Sequence, residues 1–467
     1  MKNIVLIGGG HAHLQVIKAF NEKDRPNDWN VTLVDKSSFA AYSGMVPGCI
    51  SNLYEKGTEQ IALRPLAEWA SVDFLHDTVV GVDTKCQQIL LKGGDVVDYD
   101  VLSLDIGSMS RGMDTPGVFE YTIPTRPIDA LVDRIEEAQN CLSKEDSVKA
   151  VIVGGGVAGI ELAMCIHSRF GSIVDDVELI ILDSGTELLS SESDLCREAM
   201  QEILDEKKIN VRYGSRVHTV EKDIIELEDG ARIPFTHCVW SAGASPHPLS
   251  SQLGEAGISV STDGWIQVGP TLQTQSHQNI FAAGDCAAIA GLQDPKTRNA
   301  KRSPPKAGVY AVRSGPILIE NMSRYLQKSN TETACDPLIA FDPQDDFLKL
   351  IGCGDGTALG FRFGLPLRGK WVWELKDAID GMFMDLFRVE NLPDLSEEGN
   401  GLDTSQYDAY VKKSERLSAE DGARLLLRSD DDVDYQDAWD VLRDMAADDQ
   451  YKQEVLGHSP VKSLQIL

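Results

Sequence analysis

Short apolar runs alternate with segments of helical periodicity along most of the chain. "NIVLI" (3–7) predicts a strand, a helix is predicted near residues 11–23, and "NVTLVD" (30–35) predicts a second strand. Alternation of this kind is typical of α/β proteins, in which helices cover the faces of a parallel sheet. The pattern therefore predicts an α/β fold.

The same order of strand, glycine turn and helix returns near residue 150. "KAVIVGGGVAGIELAMCI" (149–166) is followed by "ELIILD" (178–183), and the first glycines of the two turns are 146 residues apart. Two copies of one βαβ unit predict two Rossmann-like dinucleotide-binding domains. Beyond the second unit, Asp229-Gly230 in "DIIELEDGARIPF" predicts a hairpin.

The second glycine turn carries the complete G-x-G-x-x-G pattern. Gly154 makes the turn, Gly156 admits a pyrophosphate, and Gly159 allows the helix to pack closely on the strand. A phosphate there would lie on the helix N-terminus, where free N–H groups favour anions. Asp183, 29 residues after Gly154, could accept both ribose hydroxyls and would disfavour a 2′-phosphate. NADH is therefore expected in preference to NADPH.

The first glycine turn has Gly8 and Gly10 in the first two positions of the pattern but His13 in the third. Without a glycine at that position, the first helix is expected to be slightly displaced. His11, nearer the helix N-terminus, is the better candidate to face a cofactor. Asp35, 27 residues after Gly8, is in place to bind an adenosine ribose.

Two further segments follow the second unit. "IFAAGDCA" places Gly284 and Asp285 at a strand end, where a carboxylate can bind a polyol such as the ribityl chain of a flavin. "KAGVYAVRSGP" predicts a helix start, where positive charge from Lys306 or Arg313 would stabilise a reduced flavin. Arg313 could equally be a surface ion-pair residue, so Lys306 is preferred.

In this order, and together with "YDVLSLDIGS" (99–108) and "VWSAGASP" (239–246), these motifs resemble the two-dinucleotide flavoproteins of the pyridine nucleotide-disulfide oxidoreductase family. The resemblance covers about residues 1–390 and implies FAD on the first unit and NAD(P)H on the second. The segment from Asp105 to Ser108 stands where that family usually has Ala-Thr-Gly, so this crossing is altered here.

Candidate residues follow for both cofactors. Those for FAD are Gly8, Gly10, His11, Asp35, Lys36, Gly107, Gly284, Asp285 and Lys306. Those for NADH are Gly154, Gly156, Gly159, Glu161, Asp183 and Gly243. Glu161 is either a contact on the nicotinamide side or a capping acid in the first helical turn. Hydride transfer between the cofactors requires no protein acid or nucleophile, so the catalytic residue stays unassigned, with Lys306 and Glu161 as candidates.

The cysteines indicate a branch of the family. Disulfide reductases place C-x-x-x-x-C about ten residues after the ribose acid, but "AAYSGMVPGCI" (40–50) holds only Cys49. Nine cysteines are scattered without a C-x-x-C pair, so neither a metal site nor a local redox disulfide is predicted. The closer resemblance is to the type II NADH dehydrogenase-like branch. Within it, "YSGMVPG" and "GKWVWELKDAIDGMFMDLF" are similar to the flavoprotein module often fused to selenide, water dikinase, whose kinase motifs do not follow here.

The segment 368–388 predicts an amphipathic helix. Its apolar face carries Trp371, Leu375, Ile379, Met382 and Leu386. Its polar face is predicted to carry Glu374, Lys376, Asp377, Asp380, Asp385 and Arg388. In type II NADH dehydrogenases a C-terminal amphipathic region lies on the membrane, so peripheral membrane contact is one interpretation. Because the charges on the polar face are of both signs, a second interpretation is favoured at least as much as membrane contact. In it, the helix packs on the core of its own chain or on the second subunit of a homodimer.

Composition and charge bear on partners and location. The chain has 467 residues and a net charge of -29, and because a basic footprint is missing, no nucleic-acid partner is expected. The first strand begins at about residue 3, which leaves no room for a signal peptide, and no apolar run approaches the ~18 residues of a membrane span. A cytoplasmic protein is predicted, with or without peripheral contact with the membrane.

The chain divides into five predicted segments. Residues 1–112 and 262–345 are assigned to an FAD-binding domain, 113–261 to an NAD(H)-binding domain, and 346–395 to a C-terminal α+β interface segment. Residues 396–467 hold 17 acidic and 8 basic residues and form either a small helical appendage or a solvated acidic tail.

The preferred hypothesis is an FAD-dependent NADH dehydrogenase that passes a hydride from NADH to flavin and then electrons to an acceptor, with a quinone preferred. One alternative is a sulfide- or selenium-linked oxidoreductase, which would need a reactive thiol such as Cys49 or Cys353. A second is a soluble reductase of a small protein acceptor that docks on the acidic tail. A third is a non-catalytic flavoprotein.

Overall fold

The computed structural model describes residues 1–294, 299–328 and 337–395. The predicted acidic tail, 396–467, lies outside the described residues. The described part of the chain forms ten α-helices, twenty-five strands and three short 3-10 turns. None of the helices in this part is long and apolar enough to cross a membrane.

The elements follow one another in this order. The helices are α1 (His11–Ala19), α2 (Val46–Ile50), α3 (Leu63–Trp69), α4 (Val118–Tyr121), α5 (Leu131–Asn140), α6 (Val157–Gly171), α7 (Asp194–Glu206), α8 (Leu249–Glu255), α9 (Gly308–Lys328) and α10 (Lys370–Asp385). The strands are β1 (Lys2–Ile7), β2 (Trp29–Asp35), β3 (Phe39–Ala41), β4 (Gln60–Ala62), β5 (Asp73–His76), β6 (Val79–Asp83), β7 (Gln88–Leu91), β8 (Val96–Asp98), β9 (Val101–Leu104), β10 (Met109–Ser110), β11 (Ile123–Pro124), β12 (Ser147–Val153), β13 (Asp176–Leu182), β14 (Asn210–Arg212), β15 (Val217–Val220), β16 (Ile224–Leu227), β17 (Arg232–Pro234), β18 (His237–Trp240), β19 (Ala244–Ser245), β20 (Ile266–Val268), β21 (Ile280–Ala282), β22 (Ala287–Ile289), β23 (Lys349–Gly352), β24 (Ala358–Arg362) and β25 (Leu365–Gly369). The 3-10 turns are Ile128–Ala130, Gly284–Cys286 and Val389–Asn391.

The first sheet consists of five parallel strands in the order β21–β9–β1–β2–β5. The apolar residues of β1, β2 and β9 lie in one buried cluster with residues of α1 and α9. Because other elements cover both faces of this sheet, the side chains on both faces of its strands are buried. This explains why the strand sequences are continuous apolar runs and do not alternate between apolar and polar residues.

The second sheet repeats this plan in the order β11–β18–β12–β13–β14. Strand β12 takes the place of β1, β13 that of β2, and β18 that of β9, while α6 leaves β12 as α1 leaves β1. This sheet has a second buried cluster, formed with α5, α6 and α7. The repeat and the α/β class with two Rossmann-like units are therefore confirmed.

Antiparallel elements complete both units. Three-stranded sheets β6–β7–β8 and β15–β16–β17 are inserted at equivalent places. The Asp229-Gly230 turn joins β16 to β17, with Gly230 at a φ of 82°, which confirms the predicted hairpin. Strand β10, which follows β9 of the first sheet, pairs with β19, which follows β18 of the second sheet. This pair links the two units. A C-terminal sheet, β23–β24–β25, packs against α10.

Helix α1 begins at His11 as expected but ends at Ala19, not near residue 23. The side chain of Asn21 explains the early end. Its amide oxygen accepts the backbone N–H groups of Lys23 and Asp24 at 3.0 and 3.2 Å. An asparagine that bonds its own neighbouring backbone favours a turn over a further helical turn.

Helix α10 lies within the predicted segment 368–388, but its polar face was predicted wrongly at two positions. Lys376 and Asp380 are buried, at 4% and 5% exposure. They can be buried because they pair with each other, Nζ to Oδ2 at 2.7 Å, and Lys376 Nζ also donates to the Gly44 carbonyl at 2.6 Å.

The apolar stripe of α10 is buried against the protein itself. Trp371 and Leu375 are fully buried, and Ile379, Met382 and Leu386 are half-buried. The remaining buried apolar positions of the helix are Val372, Phe383 and Met384. This packing favours the interpretation of a helix that covers its own core.

Candidate active site

A cavity of about 820 Å³ opens at the carboxyl ends of both parallel sheets. This is the edge at which open α/β sheets bind their ligands. Of the fifteen predicted cofactor residues, all described by the structure, twelve lie in the lining: Gly8, Gly10, His11, Asp35, Lys36, Gly107, Gly156, Gly159, Glu161, Gly243, Asp285 and Lys306. Gly154, Asp183 and Gly284 lie outside it.

Both glycine turns require glycine at their first position. Gly8 and Gly154 have φ angles of 89° and 114°, in the region that residues with a Cβ rarely adopt. A Cβ at Gly8 would lie 2.4 Å from the backbone oxygen of Asp105, and one at Gly154 would lie 2.2 Å from that of Ser241. The two turns are therefore built in the same way against equivalent neighbouring strands.

The acids that follow the second strand of each unit also hold equivalent positions. Asp35 Oδ2 accepts the N–H of Gly9 at 2.6 Å, and Asp183 Oδ2 accepts the N–H of Gly155 at 2.6 Å. In each acid the other oxygen accepts the amide two residues farther along the chain, at 2.7 Å. Each carboxylate is therefore oriented beside its glycine turn, as binding of an adenosine ribose requires.

The third position of the glycine pattern distinguishes the two units. A Cβ at Gly159 would lie 1.9 Å from the carbonyl oxygen of Gly154, so α6 packs directly on its turn. In the first unit a buried imidazole fills the corresponding space. His13 Nδ1 lies 2.6 Å from the Gly8 carbonyl oxygen, and Nε2 lies 2.8 Å from Ser103 Oγ. The imidazole therefore joins α1 to its turn through hydrogen bonds, where Gly159 allows direct van der Waals contact in the second unit.

Asp285 belongs to a polar cluster on the cavity wall. Its Oδ2 accepts the hydroxyl of Ser108 at 2.9 Å and forms an ion pair with Arg126, whose guanidinium also contacts Ser108 Oγ. Arg126 follows β11 of the second sheet, so the cluster joins both halves of the site. Sequence analysis missed Arg126 because no motif marks it and only the tertiary fold brings it to Asp285.

Lys306 lies in the lining, two residues before α9 begins. Its ammonium lies 4.3 Å from the centroid of the Trp265 ring and donates to the carbonyl of Ala287. Burial lowers the pKa of Lys306 from its ordinary value. Arg313 lies on α9 and outside the lining. Of the two candidate cations, Lys306 is therefore the one placed at the cavity.

Glu161 is not a cap in the first helical turn. Helix α6 begins at Val157, and Glu161, one turn farther on, accepts the N–H of Gly352 in β23 at 2.7 Å. Burial raises the pKa of Glu161 to about 7, against the opposing charge of Lys376. Glu161 therefore connects the cavity lining to the C-terminal sheet.

A buried ion pair lies near Glu161. Asp380 accepts hydrogen bonds from Lys376 and, at 3.0 Å on Oδ1, from the hydroxyl of Tyr42. Although burial acts to lower the pKa of Lys376, the charges of Asp380 and Glu161 raise it above its ordinary value. Lys376 is therefore a buried ammonium held by carboxylates, a feature that periodicity alone could not reveal.

Cys49 and Cys353, the two cysteines considered as reactive thiols, are both buried. Cys49 Sγ donates to Glu59 Oε2 at 3.1 Å, and burial together with this bond raises the pKa of Cys49. Burial raises the pKa of Cys353 to about 11. Because the thiolate is the reactive form, a raised pKa lowers the reactivity of both groups at neutral pH. This disfavours chemistry that depends on either sulfur.

The second turn also suits a dinucleotide sterically. No heavy atom lies within 4 Å of the position that a Cβ on Gly156 would take, so the backbone there is open to a pyrophosphate. Helices α1 and α6 both begin at the cavity, and helix N-termini favour phosphate. Two such turns on one cavity, with a ribose acid each and Asp285 between them, define the class of two-dinucleotide flavoprotein oxidoreductases.

The chain belongs to the pyridine nucleotide-disulphide oxidoreductase family, whose profile matches residues 2–315. This membership confirms the predicted family and the predicted oxidoreductase class. FAD and a pyridine nucleotide, NAD(P)H, are the cofactors of that class.

Similar proteins extend this result. The chain is 25% identical over 293 residues to an NADH dehydrogenase-like protein of Bacillus subtilis, covering 62% of this chain and 78% of that protein. It is 24% identical over 422 residues to the type II NADH:quinone oxidoreductase of Haemophilus influenzae, covering 80% and 91% of the two chains.

Among solved structures, NDH2 from Plasmodium falciparum in complex with NADH has a TM-score of 0.69 at 14% identity, over 82% of this chain and 97% of that one. The sulfide:quinone oxidoreductase of Aquifex aeolicus has a TM-score of 0.66 at 15% identity, over 84% and 92%. These similarities support the fold.

Proposed function

We propose that this protein transfers a hydride from NADH to FAD and then passes the electrons to a quinone. One observation carries the proposal: a single cavity is lined by both glycine turns, at Gly10 of the first unit and Gly156 of the second. Dinucleotides bound at these two turns would reach a common space. Relatives described as NADH dehydrogenase-like and NADH:quinone oxidoreductase support the choice of donor and acceptor.

FAD is assigned to the first unit, residues 1–112 and 262–345. Asp35 would bind the adenosine ribose, the turn at Gly10 the pyrophosphate, and Asp285 the ribityl hydroxyls. The remaining assigned contacts are Gly8, His11, Lys36, Gly107, Gly284 and Lys306. When bound, FAD supplies the hydride-accepting and electron-releasing chemistry, and the protein supplies binding, orientation and charge.

NADH is assigned to the second unit, residues 113–261. The turn at Gly156 would receive the pyrophosphate and Asp183 the adenosine ribose. Gly154 and Gly159 shape that turn, while Glu161 and Gly243 belong to the lining of the common cavity. The nicotinamide would then lie between the two units.

Lys306 and the Arg126–Asp285 pair provide the charge on the flavin side of the cavity. Both side chains of the ion pair are shielded, at 30% and 17% exposure, so the pair holds its geometry better than a surface pair would. Lys306 presents an ammonium that favours a reduced, anionic flavin. The role of these residues is to bind and stabilise; none is required to transfer a proton in the hydride step.

The quinone assignment rests on the apolar part of the cavity wall. Apolar side chains line it at Val46, Pro47, Phe347 and Leu350, which suits a hydrophobic aromatic acceptor. A sulfide-linked reaction would need a reactive thiol, and the raised pKa values of Cys49 and Cys353 argue against it.

Steady-state oxidation of NADH tests the acceptor. The purified protein is assayed with a soluble short-chain quinone, with ferricyanide and with a small electron-transfer protein, and reduction of the quinone to quinol with sulfide as donor is measured separately. We expect NADH oxidation that depends on quinone and survives replacement of both Cys49 and Cys353 by Ser. Activity with sulfide that the double replacement abolishes would contradict the assignment.

Asp183 is expected to determine the choice of coenzyme. Asp183→Ser removes charge-assisted acceptors for the ribose and the repulsion of a 2′-phosphate, so kcat/KM for NADH should fall by about tenfold while that for NADPH stays equal or rises. The ratio of kcat/KM values for the two coenzymes measures the effect.

The matched control for Asp183 is Asp176→Ser at the other end of β13. Asp176 is exposed and bonds the hydroxyl of Ser147 at 2.6 Å, far from the glycine turn along the strand. This variant should keep the parental coenzyme ratio. An unchanged ratio in Asp183→Ser would remove Asp183 from the coenzyme site.

Location and assembly complete the proposal. We assign the protein to the cytoplasm, with peripheral contact between the segment 368–388 and the membrane through apolar positions of α10, such as Ile379 and Met382, that the core does not bury completely. Co-sedimentation with anionic vesicles should decrease in the Ile379→Ser, Met382→Ser double variant. A homodimer is the other arrangement that would cover these positions, and light scattering would detect it.

A further inference from the structure

The space above the middle glycine differs between the two turns. A Cβ on Gly156 would have no heavy atom within 4 Å, whereas a Cβ on Gly10 would lie 2.2–2.4 Å from the carboxyl atoms of Asp105. The middle glycine is the one over which the pyrophosphate approaches. In the first unit a carboxyl group therefore already lies against this glycine.

Asp105 is held there by the helix that the turn begins. Its Oδ2 accepts the backbone N–H groups of Ala12 at 2.9 Å and His13 at 3.3 Å, and the residue is 3% exposed. A Cβ on Gly284 would lie 2.3 Å from Asp105 Oδ1, so the carboxyl also contacts the turn that carries Asp285. In the second unit the equivalent position, after β18, is the neutral Ser241.

A carboxylate at this point would repel a diphosphate. The amides at an α-helix N-terminus favour an anion, but here two of them already bond the Asp105 carboxyl. Two like charges at close range in a shielded site disfavour each other, and protonation of the carboxyl removes the conflict.

We propose that FAD binds to this protein with uptake of a proton on Asp105, so that FAD affinity falls as the pH rises. This inference rests on the assignment of FAD to the first unit. Asp105 acts as a positioning residue, since it supports the turn at Gly10, and its protonation state determines whether that turn accepts a diphosphate.

Acidic neighbours reinforce this behaviour. Burial raises the pKa of Asp105 to about 7, with further raising by Asp285 and Asp35 and opposition from the amides of His13 and Ala12. Burial and the acidic neighbours of Asp105 therefore both favour its protonated form.

The neighbouring side chains of His11, His13 and Cys286 favour their neutral forms. Burial lowers the pKa of His11, and that of His13 to about 4, so both rings are neutral from pH 7 to 9. Burial and the charge of Asp105 raise the pKa of the Cys286 thiol to about 12. The nearby cations are Arg126, paired with Asp285, and Lys306.

The sign of the effect follows from linkage. A bound diphosphate favours the neutral carboxyl and raises the pKa of Asp105 above its value without FAD. Well below the pKa of about 7, the carboxyl is protonated in both states, so the dissociation constant is independent of pH. Between the two pKa values each pH unit should weaken binding by up to about tenfold, with one proton taken up per FAD bound.

The test uses the full chain after removal of its flavin. The Kd of FAD is measured by quenching of flavin fluorescence from pH 6 to 9, for the parent protein and for Asp105→Asn. The parent should bind about tenfold or more weakly at pH 9 than at pH 6.5, while Asp105→Asn, which keeps the acceptor oxygen without the charge, should bind equally at both. Asp100→Asn, at the other end of β9, should retain the parental profile.

Calorimetry of the parent in two buffers of different ionisation enthalpy gives a second readout that needs no variant. Uptake of one proton per FAD at pH 8 is the expected result. A Kd independent of pH with no proton uptake would overturn the inference, as would a parental slope retained in Asp105→Asn, which would point to Lys306. Failure to bind FAD at any pH would instead overturn the proposed function.

Discussion

Gly156→Ala is expected to raise the KM for NADH by about tenfold or more without lowering the thermal stability of the protein. The backbone of Gly156 has a φ of -75°, which any residue can adopt, and its Cβ position is free of neighbours within 4 Å. A methyl group there would project into the space through which the pyrophosphate approaches the turn. The loss should therefore appear in coenzyme binding alone, measured as KM and as the Kd of NAD⁺.

Gly159→Ala is the matched comparison, three positions farther along the same turn. Its Cβ would lie 1.9 Å from the carbonyl oxygen of Gly154, so α6 must move away from β12. We expect a loss of about 1–3 kcal/mol in the free energy of unfolding, seen as a lower Tm. A Gly156→Ala variant with unchanged KM would show that NADH binds elsewhere.

Lys376→Met should cost about 3–5 kcal/mol of stability, since it leaves Asp380 buried and without its cation. The Nζ–Oδ2 distance is 2.7 Å, and the two side chains are only 5% and 7% exposed. The Gly44 carbonyl also loses its donor. Thermal unfolding followed by circular dichroism should show Tm lowered by roughly 3–5 °C.

Lys370→Met, on the same helix, separates this effect from a change in net charge. Lys370 lies 3.8 Å from Glu374 with 73% and 44% of their side chains exposed, and such surface pairs contribute about 0–1 kcal/mol. Its Tm should therefore stay within a degree or two of the parent, by the same conversion. Equal Tm shifts in the two variants would contradict the importance of the buried pair.

Features contained within one strand, turn and helix could be predicted from the sequence. The glycines Gly8 and Gly154 and the acids Asp35 and Asp183 hold the expected places in the two units. These positions follow from local geometry, because a strand that enters a tight turn before a helix needs glycine where φ is positive. The repeat of the motif also revealed the two-sheet architecture.

Features created by contacts between distant segments could not be predicted in this way. Helical periodicity located α10, yet it could not show that Lys376 would meet the Gly44 carbonyl, 332 positions earlier in the chain. Arg126 reaches Asp285 across 159 positions. Asp105 was visible as a departure from a family pattern, but only the fold shows that its carboxyl fills the space at Gly10.

The central proposal is that NADH reduces FAD held in the cavity between the two units. Anaerobic titration of the flavin-loaded protein with NADH, followed by the yellow absorbance of the flavin, tests it most directly. We predict that the absorbance is lost at one NADH per FAD and returns when a quinone is added without oxygen. A flavin that remains oxidised in excess NADH would contradict the proposal.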